Sequence, residues 1–242
     1  MQAGLQRPCS WPAIEPVTSH STYEILESGM VLMKNYISLM DQAEIVNICH
    51  KLGVGPGGFC QPTYNSGHKS QLQRMCFGRN WDPETRYKER YRSDGSEPPP
   101  VPEEFIPLVE TTIQDAQAHI NSNVEIPSMS PDVCLVNFYT STSRLGLHQD
   151  RDESSNRLRR GLPVVSISIG DSAEFLYGFT HTTDECNSRK VLLESGDALI
   201  FGGKSRLVFH GVKTILPNTA PLSLLQKTML RPGRLSLTFR QF

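Results

Sequence analysis

Alternating apolar and polar positions dominate the second half of the chain. Val133, Leu135, Asn137 and Tyr139 share one face of an extended segment, and Cys134, Val136 and Phe138 share the other. Similar short runs predict strands over 163–169, 173–179, 190–194, 197–201, 206–214 and 234–241. Glu194-Ser195-Gly196-Asp197 reads as a tight turn between two of them. Strands this short, separated by turn signals and without an internal repeat, predict a sandwich or jelly roll.

The first half changes period. Residues 2–22 have no periodicity and read as an arm on the surface, and 24–36 reads as a short strand leading into a turn. Ser38 opens a helix with Asp41 as its capping-box partner, Leu39, Val46, Cys49 and Leu52 lie on one side, and Gly53 ends it. Residues 53–67 hold five glycines but lack G-x-x-x-x-G-K-[ST], so they read as a loop rather than a phosphate cradle. A proline-rich connector over 93–102 leads to a helix over 103–120, with Pro102 at its first position and acids in its first turn. Phe105, Leu108, Val109, Thr112, Ala116 and Ile120 recur at helical spacing, which places this helix on the outside of the sheet.

Composition narrows the class only a little. A hydrophobic fraction of 38% and a charged fraction of 20% give an ordinary globular chain with material for a sizeable core. The six cysteines, with no C-x-x-C pair, read as reduced thiols of an intracellular protein, nuclear, cytoplasmic or within an organelle. No run approaches membrane-spanning length and no secretory leader is legible, so no membrane partner is expected. A formal charge of −1 means that any nucleic-acid partner must be met by local patches.

Candidate chemistry concentrates after residue 132. In an extended segment, residues i and i+2 project the same way, so His148 and Asp150 converge on one point. His210, in the strand-like run 206–211, is the distant third candidate. Two histidines and one carboxylate form the set that holds ferrous iron on one face and leaves the other open. Zinc and ordinary polar strand ends are the competing readings of these residues. The terminal strand puts Arg234, Ser236, Thr238 and Arg240 on one face, and Leu235, Leu237 and Phe239 on the other. Two guanidiniums on an otherwise apolar strand call for two anions, met by a small dicarboxylate or by structural ion pairs.

Asn137-x-Tyr139, His148-Gln149-Asp150, the Gly202-Gly203-x-Ser205-Arg206-Leu207-x-x-His210-Gly211 stretch and the Arg234, Arg240 pair stand in the order found in the AlkB family. Over residues 72–242 the chain resembles these Fe(II)- and 2-oxoglutarate-dependent dioxygenases. The wording from Met75 to Trp81 is most similar to the homologue-1 branch. The resemblance implies a mainly β fold with flanking helices: a double-stranded β-helix (jelly-roll) core over 132–242 behind a helical and lid extension over 1–131, in one compact, monomeric unit. It implies iron ligation by His148, Asp150 and His210, with O2 as the second co-substrate. Arg234, helped by Asn137 and Tyr139, is implied to pair with the distal carboxylate of 2-oxoglutarate, and Arg240 with the carboxylate beside its keto group. Many relatives carry Asn where this chain has Ser236, whose shorter hydroxyl loses a hydrogen bond.

Residues 68–92 carry seven Lys or Arg against three acids, interleaved with Phe77, Trp81, Tyr87 and Tyr91. Cations for phosphates beside rings for an unstacked base suit a nucleic-acid lid, although a solvated loop has the same composition. With the resemblance, Met75, Phe77, Arg79 and Trp81 become candidate substrate contacts. Asp152 becomes a candidate reader of an exocyclic amine or a cationic methylated ring. The implied activity is oxidative demethylation of N-methylated bases such as methyladenine in DNA or RNA, with formaldehyde released from a single-stranded, bulged or flipped-out base. Two alternatives remain open at this level: the same oxidation of a protein or small molecule, and a non-catalytic jelly-roll binding module.

Overall fold

The computed structural model describes residues 21–63, 67, 69–120, 126–179 and 188–242. Of the arm expected over 2–22, residues 2–20 lie outside these residues, and Thr22 already begins a strand. In chain order the elements are β1 (Thr22–Glu27), β2 (Met30–Lys34), α1 (Leu39–Gly53), β3 (Gln73–Phe77), α2 (Phe105–His119), β4 (Val133–Tyr139), β5 (Leu145–His148), α3 (Ser155–Arg159), β6 (Val164–Gly170), β7 (Ser172–Gly178), β8 (Arg189–Leu193), β9 (Ala198–Phe201), β10 (Phe209–Leu216), α4 (Leu222–Lys227) and β11 (Arg234–Arg240).

Two sheets result, a seven-stranded one in the order β1-β2-β9-β6-β11-β4-β3 and a four-stranded one in the order β5-β10-β7-β8. Every pairing is antiparallel. This is the jelly roll that the alternation predicts. Its two faces sort the side chains by parity. Cys134, Val136 and Phe138 of β4 and Leu235, Leu237 and Phe239 of β11 join the core beneath α1 and α2, together with Phe105, Val109 and Ile113 of α2. The opposite parity, including Tyr139, Val164, Leu199 and Phe201, turns inward and packs against Phe175, Tyr177 and Val212 of the smaller sheet. Burial of each such side chain contributes roughly 1.5–3 kcal/mol. Arg234, Ser236 and Arg240 share the inner parity, which is why they are buried.

Several boundaries differ from the sequence reading. The expected single strand over 24–36 is a hairpin, β1 and β2, turning at Gly29 with φ +85°; a Cβ there would lie 2.3 Å from the Gly202 carbonyl oxygen. Ser38 does cap α1, its Oγ accepting from the Asp41 N–H at 3.2 Å. α2 starts at Phe105, after Pro102 and both acids, so the first turn holds neither and Glu104 makes no side-chain cap. The run 206–214 splits: a short 3-10 turn over Gly203–Ser205 precedes Arg206, and the strand starts at Phe209. The chain turns there because the Arg206 guanidinium goes to a buried acid rather than along a strand face. β1 and β2 at one edge of the large sheet, and β3 at the other, come from the first 131 residues.

Candidate metal centre and co-substrate pocket

β5 pairs with β10 so that His148 stands opposite His210. That register requires a close approach, because a Cβ on Gly211 would lie 2.5 Å from the Leu145 carbonyl oxygen. Two further contacts strap the segment after β5 to the residues before β10: Gln149 Nε2 donates to the Leu207 carbonyl and Arg206 Nη1 to the Asp150 carbonyl, each at 2.5 Å. Ligand atoms of His148, Asp150 and His210 therefore all lie within 4.8 Å of one another. Asp150 Oδ1 is 3.7 Å from His148 Nε2, and Asp150 Oδ2 is 3.8 Å from His210 Nε2.

Backbone carbonyls orient both rings. The Nδ1 of His148 lies 2.9 Å from the Gly146 oxygen, and the Nδ1 of His210 lies 3.1 Å from the Val208 oxygen. A carbonyl only accepts, so each Nδ1 carries the proton and each Nε2 keeps a lone pair aimed at the shared point. Burial pushes the His210 imidazole down to about 4, with His148 adding to the effect, which keeps the ring neutral. Burial works to raise the Asp150 carboxyl, but Arg240, then His210, His148 and Arg206, hold it well below the usual carboxylate range. Two imidazoles and one carboxylate on one side of a point fit Fe(II) with an open face. Gly211→Ala is expected to push β5 off β10 and weaken Fe(II) binding about tenfold, the scale of disturbed outer-shell support. Calorimetric titration of the variant checks this, and an unchanged Kd would show that the strand spacing tolerates the methyl.

The two arginines of β11 have different surroundings. Arg240 Nη1 is 3.1 Å from Glu153 Oε1 and 3.8 Å from Asp150 Oδ1, and its Nη2 donates to Tyr87 Oη at 2.6 Å. Burial would lower its pKa, but Asp150, Tyr87 and Glu153 outweigh burial and raise it. Arg234 has no such company: it donates to Ser168 Oγ at 2.6 Å and the Leu193 carbonyl at 3.4 Å, and its Nε has no partner. Among the described residues no carboxylate forms an ion pair with it, and burial pulls its pKa down to about 10. A guanidinium only 1% exposed and lacking an anion is costly unless a ligand brings one. Strand register lines the same inner face with polar groups: Asn137 opposite Ser236, Ser236 opposite Ser168, and Tyr139 opposite Arg234. This surface fits a dicarboxylate such as 2-oxoglutarate.

The family model described as the 2OG-Fe(II) oxygenase superfamily matches residues 29–240. The solved structure of OsALKBH1 is matched with a TM-score of 0.85 and 52% identity, covering 91% of this chain and 100% of that one. The chain belongs to the AlkB family of 2OG-Fe(II) oxygenases. It is similar to DNA N(6)-methyladenine demethylase ALKBH1C of Arabidopsis thaliana, 57% identical over 90% of this chain and 49% of that protein. A second Arabidopsis thaliana protein, DNA N(6)-methyladenine demethylase ALKBH1D, is 53% identical over 94% of this chain and 52% of its own length. The chain spans about half the length of the curated relatives it matches.

In this AlkB-family chain the candidate substrate residues divide. Trp81 and Asp152 meet, the indole Nε1 donating to Asp152 Oδ2 at 2.7 Å, with Arg86 3.8 Å from Asp152 Oδ1. Met75 and Phe77 do not join them. Both sit on β3 at the parity that faces the helix-side core, 1% and 0% exposed, so the expectation that they touch substrate is corrected: pairing with β4 turns them away from the pocket. Arg79 is exposed and lies over the Phe242 ring, 4.5 Å from its centroid. Glu153 and Arg206, both buried, were given no role of their own from sequence. Glu153 lies between Arg206, at 3.0 Å, and Arg240. The available signal was the charge of Arg206 inside an apolar run, Leu207-Val208-Phe209, which demands a buried partner.

Proposed function

We propose that the chain removes methyl groups oxidatively from N-methylated bases of nucleic acid, using Fe(II), O2 and 2-oxoglutarate and releasing formaldehyde. The observation that carries this reading is the junction of an open-faced His148, Asp150 and His210 set with a buried guanidinium, Arg234, whose Nε has no partner and which forms no ion pair among the described residues. When bound, iron and 2-oxoglutarate supply the activation of O2 needed to hydroxylate an inert C–H bond. The chain's own part is binding and orientation. His148 and His210 present fixed Nε2 lone pairs, and Asp150 adds the charge that Arg240 and Arg206 steady. Arg234 with Ser168, Asn137 and Tyr139 takes the distal carboxylate of the co-substrate, and Arg240 takes the carboxylate next to the keto group.

The Trp81 ring and the Asp152 carboxylate offer two contacts suited to a base: a π face for stacking, and an acceptor for an exocyclic amine or a cationic methylated ring. Such a base must have left its stack, from a single strand, a bulge or a flipped position. The names of the Arabidopsis relatives support methyladenine in DNA as the first substrate to try. We take the active unit to be a monomer. Among the described residues no helix is long and apolar enough to cross a membrane.

Formaldehyde release over a panel of methylated DNA and RNA oligonucleotides, single-stranded, bulged and duplex, tests the proposal. Release from a methylated oligonucleotide whose binding weakens steeply with salt is the expected result, because phosphate contacts release counterions. Release only from a methylated peptide or small molecule, with no salt-dependent oligonucleotide binding, would move the same oxidation to another substrate class.

A further inference from the structure

Arg74 was counted in the sequence only as one of the cations of the 68–92 stretch. In the fold it stands on β3 at the inner parity, directly opposite Asn137. Its Nε donates to Asn137 Oδ1 at 2.8 Å, and its guanidinium carbon lies 4.1 Å from the centroid of the Trp81 ring. The same indole is held at its N–H by Asp152, two residues from a metal ligand. One side chain thus touches both a residue assigned to the co-substrate and one assigned to the base.

The chemistry of the contact sets a direction. A guanidinium has donors and no acceptor, so the Asn137 oxygen must face Arg74 and the two amide N–H donors must face away from it. Beyond Asn137 in the register lie Ser236 and Ser168, and Ser168 is the hydroxyl that holds Arg234. Had the amide the opposite orientation, it would offer its oxygen to an incoming carboxylate and repel it. Arg74 is a planar cation over an indole as well, an attraction that depends on where its guanidinium lies.

We propose that Arg74 is a positioning residue with two effects: it locks the Asn137 amide in its anion-accepting orientation, and it links occupancy of the co-substrate pocket to the placement of Trp81. This rests on the assignment of the pocket to 2-oxoglutarate. When a carboxylate draws on Asn137, the Nε contact and the guanidinium plane adjust together, and the indole stacked on that plane experiences the change.

The test uses the chain loaded with Mn(II) in place of iron, so that no turnover occurs. The sequence has two tryptophans, and a Trp11→Phe background leaves Trp81 as the sole indole reporter. Addition of 2-oxoglutarate should bind and change Trp81 fluorescence. Arg74→Lys keeps the charge but loses the planar stack and the fixed Nε donor, and Arg74→Met keeps apolar bulk without donors. For whichever variant melts within a few degrees of the parent, 2-oxoglutarate should bind about tenfold more weakly and the fluorescence change should disappear. In a double-mutant cycle, adding Arg74→Lys to Asn137→Ala should cost no further affinity, because Arg74 acts through that amide. Unchanged affinity and fluorescence response in the Arg74 variants, or fully additive losses in the cycle, would overturn the proposal while leaving the pocket assignment standing. Failure of the parent itself to bind 2-oxoglutarate would overturn both.

Discussion

Asp150→Asn is expected to abolish formaldehyde release and to weaken Fe(II) binding by more than the ~10–100-fold that loss of an outer-shell partner costs. Asn is isosteric and keeps one oxygen for the ion, so the effect isolates the charge. That charge does two jobs in the fold. It is the anionic member of the proposed ligand set, 3.7 Å from one imidazole nitrogen and 3.8 Å from the other. It also faces Arg240 at 3.8 Å, one of the contacts that hold its carboxyl low despite burial. Calorimetric titration of metal-free protein with Mn(II) gives the affinity, and circular dichroism reports whether the sheets survive. Retention of formaldehyde release at more than a tenth of the parent rate would remove Asp150 from the ligand set.

Glu153→Ala is expected to produce the largest loss of stability among these variants. The Glu153 side chain is 1% exposed and its carboxylate lies between two buried guanidiniums, Arg206 at 3.0 Å and Arg240 at 3.1 Å. Removing one member of a buried ionic cluster strands its partners, at a cost of about 3–5 kcal/mol. For a chain of this size that corresponds to a fall in Tm of about 10 °C. Glu153→Gln should lose less, since its amide oxygen still accepts one guanidinium N–H. Thermal melts of both variants provide the measurement. A Glu153→Ala melt within 2 °C or so of the parent would mean that Asp150 alone compensates both arginines. Glu153→Ala should also weaken 2-oxoglutarate binding, because the carboxylate fixes the end of the Arg240 side chain opposite to Tyr87.

Much of the site was legible because strands impose a period of two. Once 133–139 and 234–240 alternate, the inner parity of Asn137, Tyr139, Arg234 and Arg240 follows with no knowledge of what lies across from them. The His148 and Asp150 pair was legible for the same reason, and His210 needed only the motif around it. Met75 and Phe77 joined the expected lid through the family resemblance at Met75–Trp81, added to the composition of the stretch. Positive charges between aromatic residues look like a lid, yet 73–77 is an edge strand whose alternate residues enter the core. Parity on those five residues would have separated Arg74 from Met75, had the strand been recognised.

What the sequence by itself determined is which side chains face inward and which chemistry they carry, since alternation and residue type are properties of the chain. The tertiary structure alone decided who meets whom. The close packing allowed by Gly211 sets His148 beside His210, and β3 pairing with β4 delivers Arg74 to Asn137. Glu153 becomes the hub of two arginines from segments 53 and 87 positions further along the chain. Contacts at such separations depend on strand order and register, which arise from the packing of the whole molecule and leave no local trace in sequence.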